Sequence, residues 1–277
     1  MKKFKVGLQL YSIRDEMEKD MDKALKAVKD MGYDYVEFAG YFGKTAEEVK
    51  ALLDKHGLTA ISVHQGYDVF LTDEKYNIDY LKTIGVKYCA IPWMDKSKHA
   101  GNDVFPQTIE EITKVAKALK AAGIQMLYHN HDFEFEKFEG KFLLDWLYES
   151  IPSDLLQTEI DTCWVKYSGN DPVEYMKKYK GRADVLHLKD FVCGKFAGGP
   201  VYALIGDDGK EETKAENTGD SFEFRPVGSG VQDFPAILKA AEEIGIEYLI
   251  VEQDNWPTAS SMESAKQSRD YLKTLGQ

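Results

Sequence analysis

Short apolar runs alternate along this chain with longer stretches in which apolar residues recur at every third or fourth position. A short run bounded by turn residues is how a strand buried on both faces reads, and the three-to-four spacing is the stripe of an amphipathic helix. Residues 4–11 form the first run. Met17, Met21, Ala24, Leu25, Val28 and Met31 stripe the stretch 16–31, which Gly32 ends. Further strands are predicted at 35–40, 59–65, 88–93, 124–128, 155–161, 183–190 and 248–254. Between them the spacing predicts helices over 45–56, 74–84, 106–122 and 142–150, from Asp171 onward, and over 233–244 and 260–275. Thr45 and Glu48 stand at capping-box spacing, and Asp171-Pro172 pairs a cap with a first-turn proline. Glycine follows nearly every helix, at Gly57, Gly85, Gly123, Gly181 and Gly245 as at Gly32.

Eight strands alternating with eight helices predict a (β/α)8 TIM barrel, and 277 residues suit one such domain spanning 1–277, since about 250 residues are typical. A doubly wound sheet is the runner-up, but no GxGxxG follows the first strand. The rhythm breaks over about 191–230, a glycine-rich excursion in which 201–205 is expected to form a small hairpin with 221–225.

Composition narrows the function classes. A net charge of -12 argues against nonspecific binding to a phosphate backbone. No apolar run is long enough to span a membrane, and the first residues carry no cleavage site, so a cytoplasmic protein is expected. Cys89, Cys163 and Cys193 are too few and too scattered for a disulfide framework or a zinc knuckle.

The strand ends carry the chemistry. The fifth strand runs into Tyr128-His-Asn-His-Asp-Phe-Glu-Phe135. His129 and His131 are two apart and share a face; Asn130 points the other way, and Glu134 follows. Reading the other ends adds Glu37, His64, Asp161, His187 with Lys189, and Glu252. Barrel enzymes work at that end of the strands. Imidazole with carboxylate suits one divalent ion, Mn, Co, Fe or Zn, with Mg kept open. The expected ligands are one of the strand-five histidines, His129 preferred over His131, with Asp161, His187 and Glu252, and His64 is a spare ligand or a substrate contact. Each has a plainer reading: Asp161 as a turn cap, His187 as a core histidine, Glu252 as the partner of Lys189.

The segments Tyr128–Phe135, Glu159-Ile-Asp-Thr-Cys-Trp-Val165, Leu186-His-Leu-Lys-Asp190 and Val251-Glu-Gln-Asp254 resemble the xylose-isomerase-like TIM barrel superfamily, and within it the sugar phosphate isomerase/epimerase branch. The resemblance covers essentially the whole chain. It implies a metal-dependent enzyme acting on a sugar, keto-sugar or cyclitol, with ligands from strands five to eight. Many relatives have Glu on strand five where this chain has His129 and His131. Gly228-Ser229-Gly230 stands where relatives often have Gly-Glu-Gly, and the excursion is longer.

The expected chemistry is proton removal beside a carbonyl, through an enediolate that the metal stabilises. Glu252 is the first candidate base, with His131 or Glu159 acting from the other side. Lys189 steers a hydroxyl or stabilises negative charge. Glu37, His64, Trp93, Asn130 and Trp164 are expected substrate contacts, and Arg182, at the opposite end of the barrel, is read as structural. Gly228–Gly230 offers N–H groups to an anion, but a non-phosphorylated substrate is favoured. An isomerase or epimerase is the first reading. The alternative is a lyase, such as a keto-inositol dehydratase or a keto-glycoside cleaving enzyme. An apurinic endonuclease would need a basic groove that this charge does not supply. A small carbohydrate is the expected partner, with no nucleic acid and no membrane; the sequence leaves open whether the chain forms a homo-oligomer.

Overall fold

A computed structural model describes residues 2–194 and 222–277. Eight parallel strands pair side by side and close on themselves: β1 (Lys5–Gln9), β2 (Tyr35–Phe38), β3 (Thr59–His64), β4 (Tyr88–Ile91), β5 (Gln125–His129), then, after a short hairpin of β6 (Lys137–Phe138) and β7 (Lys141–Phe142), β8 (Leu156–Asp161), β9 (Val185–Leu188) and, beyond a second hairpin, β12 (Tyr248–Val251). The order around the barrel is β1-β12-β9-β8-β5-β4-β3-β2, so the first and last strands close the cylinder. The second hairpin joins β10 (Asp190–Val192) to β11 (Glu223–Arg225), antiparallel. The (β/α)8 architecture read from the spacing is therefore the observed one, as a single domain.

The strands are buried on both sides because helices cover the outer face and side chains fill the inside. One core lies between barrel and helices and includes Leu8, Val36, Val63, Cys89, Met126 and Leu249. A second, smaller core plugs the barrel itself with Ile61, Tyr88, Ala90, Leu127, Val185, Tyr248 and Ile250. Arg182 joins the lower ends: its guanidinium donates to the carbonyls of Leu156, Tyr148 and Ile151 at 3.0, 2.7 and 2.9 Å, which is the structural part expected of it.

The elements depart from the sequence reading in several places, among them the short hairpin β6–β7 and a helix at Thr162–Tyr167. The first helical stretch breaks at Asp20, extended at φ -162°. Its carboxylate accepts from the Lys23 N–H and starts a new helix, Met21–Met31; an Asp at a helix start satisfies a donor that an uninterrupted helix would not expose. An additional helix, Tyr67–Thr72, precedes Glu74–Ile84. The seventh strand stops at Leu188, and Asp190 begins the hairpin instead. Its partner strand is Glu223–Arg225, within the span expected to pair with 201–205; residues 201–205 lie outside the described residues. No helix among the described residues is long and apolar enough to cross a membrane.

Candidate metal centre

The period of two along each strand stacks polar side chains above the apolar plug. On β5 the inward series is Leu127, His129 and, just past the strand, His131; on β9 it is Val185, His187 and then Lys189; on β12 it is Tyr248, Ile250, then Glu252 and Asp254. β8 contributes Glu159 and Asp161, which pair in register with His129 and His187. Side chains from distant parts of the chain therefore arrive at the same height because neighbouring strands are aligned, not because the residues are near in sequence.

An outer set faces the mouth. His129, Asp161, His187 and Glu252 each bring a ligand-type atom, all within 4.8 Å of one another, and all four residues are buried. His187 Nδ1 is 3.1 Å from Glu252 Oε2; His129 Nε2 is 3.8 Å from Asp161 Oδ2 and 3.9 Å from Glu252 Oε2. Asp161 does two jobs. Its Oδ1 accepts from the N–H groups of Cys163 and Trp164 at 2.7 and 3.3 Å, capping the helix Thr162–Tyr167. Its Oδ2 is thereby aimed at the cluster, buried and 3.2 Å from Lys189 Nζ. Asn130 helps hold that strand end: its Oδ1 accepts from the Asp161 N–H at 3.0 Å.

Lys189 lies among these acids, 1% exposed. Its Nζ is 3.2 Å from Asp161 Oδ2, 2.9 Å from Glu252 Oε2 and 3.1 Å from Asp254 Oδ2. Burial opposes its charge, but Asp161, Asp254 and Glu252 hold the ammonium protonated well above the usual lysine value. Trp164, fully buried, has Lys189 Nζ 5.3 Å from its ring centroid and the His131 ring at 5.7 Å. Phe222 stacks on Trp164 and Phe224 meets it edge-on, so the hairpin β10–β11 and the residue before it wall this side of the mouth.

Beneath lies an inner set. His187 turns its other nitrogen, Nε2, to Glu37 Oε1 at 2.8 Å, and His129 turns Nδ1 toward Glu159 Oε2 at 3.5 Å. His64 Nε2 sits between the two acids, 2.8 Å from Glu159 and 3.0 Å from Glu37. Gln9, at the end of β1, donates to Glu37 Oε1 at 2.7 Å. Against burial, which acts the other way, Glu37 and Glu159 raise His64 to about 10 and His187 well above the imidazole range. Glu159 is raised to about 7 by burial and by the charge of Glu37. Burial, with the nearby charge of Lys189, keeps His131 neutral, and burial with His187 does the same for His129.

The outer donors fit a divalent cation. Two imidazoles and two carboxylates, buried and converging, three of them backed by a partner on the far side, are what an ion of the zinc or manganese kind takes. His187 is backed by Glu37, His129 by Glu159 and Asp161 by backbone N–H groups.

The other expected site residues fall in different places. Glu37, His64 and Glu159 lie on the floor side of the histidine rings rather than at the mouth. The Asn130 amide is spent on the Asp161 backbone. Trp93 is 43% exposed at the end of β4. The N–H groups of Gly228 and Gly230, proposed to greet an anion, already have one: both donate to Asp190 Oδ2, at 3.0 and 2.8 Å, and Gln232 N donates to Oδ1 at 3.2 Å. A Cβ at Gly230 would run into that carboxylate. Asp190 is therefore committed to these N–H groups, while Lys189 pairs with Asp161, Glu252 and Asp254. Asp254 and Gln9 escaped the sequence reading. Asp254 is two residues past Glu252 and so shares its face, a signal that was available; Gln9 carries no charge, and nothing in its type marked it.

A family profile described as xylose isomerase-like TIM barrel matches residues 25–275. Among curated proteins, the chain is 25% identical to an inosose dehydratase of Geobacillus kaustophilus, over 92% of this chain and 87% of that protein. It is 23% identical to an inosose dehydratase of Clostridium botulinum, covering 92% and 90%. Among solved structures, a sugar phosphate isomerase/epimerase from Parabacteroides distasonis superposes with a TM-score of 0.76 at 25% identity, covering 99% of this chain and 94% of that one.

Proposed function

Because the chain belongs to the xylose isomerase-like TIM barrel family, we propose that it removes a proton from the carbon beside a carbonyl in a keto-sugar or cyclitol, using one divalent metal ion at the barrel mouth. The observation that carries this reading is the convergence of His129, Asp161, His187 and Glu252 within 4.8 Å, next to a buried ammonium. These four residues would hold the ion, which supplies Lewis-acid polarisation of the substrate carbonyl and its neighbouring hydroxyl.

The chain's own residues account for the rest. Lys189, held charged by three acids, offers a hydrogen-bond donor and a full positive charge where an enediolate oxygen develops, in surroundings that screen it little. His131, its ring beside Trp164 and held neutral by burial, is the group assigned to accept the proton from carbon. Glu252 is ionised, its carboxylate held well below the usual range, against burial, by Lys189 and His187. That makes it the better ligand and the poorer base. Glu159 is a proton acceptor only on the far side of the histidine rings. Trp164 fixes Lys189 and His131 in place, and Asn130 fixes Asp161. Since Asp190 already satisfies the Gly228 and Gly230 donors, a non-phosphorylated substrate is favoured.

Return of the proton to the same carbon's opposite face gives an epimer, and return to the neighbouring carbon gives an isomer. Departure of a hydroxyl from the next carbon gives dehydration. The similarity to the Parabacteroides structure supports the first pair, and the curated inosose dehydratases support the last. Incubation of the metal-loaded protein with ketoses and keto-inositols in D₂O, followed by NMR, tests both. Deuterium entering beside the carbonyl with all hydroxyls retained marks isomerisation or epimerisation; loss of water marks the dehydratase. No exchange with any polyhydroxylated carbonyl compound would overturn the proposal.

A further inference from the structure

The chain has four arginines, and three of them spend their guanidinium groups inside the protein. Arg182 gives all three nitrogens to backbone carbonyls. Arg269 donates to the carbonyls of Gly32 and Gln277, and Arg225 pairs with Glu223. Arg14 differs. Its Nη1 donates to the Tyr11 carbonyl at 2.9 Å, and among the described residues no acid pairs with it. Its other nitrogens have no partner in the chain, yet they are not buried, so they open to solvent. In a chain of 47 acidic and 35 basic residues, an acid to match this cation would have been easy to supply.

The group is held firmly and at the mouth. Its guanidinium carbon lies 4.0 Å from the centroid of the Tyr11 ring and 4.8 Å from that of Trp256, and all three side chains are partly buried. A guanidinium resting on aromatic rings keeps N–H groups free for an oxygen ligand and loses little freedom when it binds one. Tyr11 and Arg14 leave the upper end of β1, and Trp256 follows Asp254 by two residues. The turn between them is pinned on both sides. The Gln9 side chain accepts from the Tyr11 N–H at 3.0 Å and donates to Glu37 at 2.7 Å, while Ser12 Oγ accepts from the Gln253 N–H at 3.0 Å. Burial raises the Tyr11 phenol, and the charges of Arg14, Asp254, Glu252 and Lys189 all reach it, so this rim group adjoins the cluster.

We propose that Arg14, steadied by Tyr11 and Trp256, is a rim subsite for a carboxylate, and that the substrate is a keto-sugar or cyclitol that carries one. An anion entering beside Glu252 and Asp254 needs a cation of its own, because Lys189 is already engaged by three acids. Two parallel N–H groups of one guanidinium match the two oxygens of a carboxylate. A phosphate dianion asks for more donors than one arginine supplies, and the N–H groups of Gly228 and Gly230 are spent on Asp190. The subsite stands on its own geometry; its assignment to the substrate rests on the reaction proposed above.

The test is calorimetric titration of the full chain, loaded with Zn²⁺, with D-glucuronate, D-glucose and D-glucose 6-phosphate, none of which is a ketone. Glucuronate should bind about 10–100-fold more tightly than glucose, the worth of hydrogen bonds to a charged group. That preference should vanish in Arg14→Gln and return only in part in Arg14→Lys, which keeps the charge without the fork. Circular dichroism checks that both variants fold, and the partial rescue separates loss of the fork from a disturbed turn. Equal binding of glucuronate and glucose overturns the inference. So does a glucuronate preference that survives Arg14→Gln, which would place the carboxylate on the metal ion. A preference for the phosphate that Arg14→Gln abolishes overturns the carboxylate assignment. The D₂O exchange experiment keeps the two readings apart. Exchange into neutral and acidic ketoses alike leaves the reaction standing and sinks the subsite; Arg14-dependent glucuronate binding without exchange does the reverse.

Discussion

Lys189 and a metal ion would draw on the same carboxylates, and that competition can be measured. Lys189→Met keeps most of the side-chain volume and removes only the charge. Nζ lies 3.2 Å from Asp161 Oδ2, 2.9 Å from Glu252 Oε2 and 3.1 Å from Asp254 Oδ2, with none of the four residues more than 5% exposed. At an effective dielectric of 20, a unit charge pair at 4 Å is worth about 4 kcal/mol. Breaking a buried pair by deleting one partner costs about 3–5 kcal/mol, because the acids are left unpaired. The metal-free variant should therefore unfold at lower urea, by about 3–5 kcal/mol. The same deletion removes a repulsive charge from the ion's surroundings and releases two of its ligands. Even if screening and relaxation cancel most of that gain, binding should tighten by one to two decades, about 1.4–2.8 kcal/mol. Urea unfolding with excess chelator and with saturating Mn²⁺ reads the first effect; competition against a fluorescent chelator reads the second. Activity should fall steeply despite the tighter metal. A variant that binds Mn²⁺ no better, or worse, than the unaltered protein would show that Lys189 and the ion do not share Asp161 and Glu252, and the site as drawn would be wrong.

Other changes probe the frame. Asp190→Ala removes the acceptor for the N–H groups of Gly228, Gly230 and Gln232; at about 1.5–3 kcal/mol for a bond to a charged group, and with incomplete additivity, the loss should be about 3–5 kcal/mol in urea. Hydrogen exchange should show those three amides exposed first. Arg182→Met should cost about 2–4 kcal/mol through its three carbonyl contacts, while kcat of the surviving folded protein stays unchanged, since the residue is at the far end of the barrel. His99 is buried and its pKa is pushed down to about 4 from 6.5 by that burial. The folded state keeps it neutral while the unfolded chain takes up a proton below about pH 6.5, so stability is lost as pH falls from 6.5 through 4, by roughly 3 kcal/mol in all. His99→Gln should flatten that part of the stability profile; an unaltered slope between the two proteins would count against it.

Much of the barrel could be read from spacing, because a strand that is buried on both faces and a helix with one dry stripe announce themselves over a handful of residues. The glycines after the helices and the Thr45 cap are local in the same sense. So were the ionisable strand ends: His129, Asp161, His187 and Glu252 each follow an apolar run, and their alternation says which face they share. The break at Asp20 and the hairpin at Asp190 were missed because each turns on where one carboxylate finds N–H groups. For Asp190 those groups lie some forty residues on, beyond any local window.

What the chain order could not supply is height and direction. Whether Glu159 or Asp161 reaches the mouth depends on the register of β8 against β5 and β9. Which nitrogen of His187 meets Glu37 and which meets Glu252 depends on the closure of β1 against β12. The sequence determined the inventory of imidazoles and carboxylates and the side of each strand they occupy, because alternation is a property of one strand. Only the closed barrel decided their division into an outer and an inner layer, because that division is set by the stagger between strands, and stagger is shared by segments that never meet along the chain.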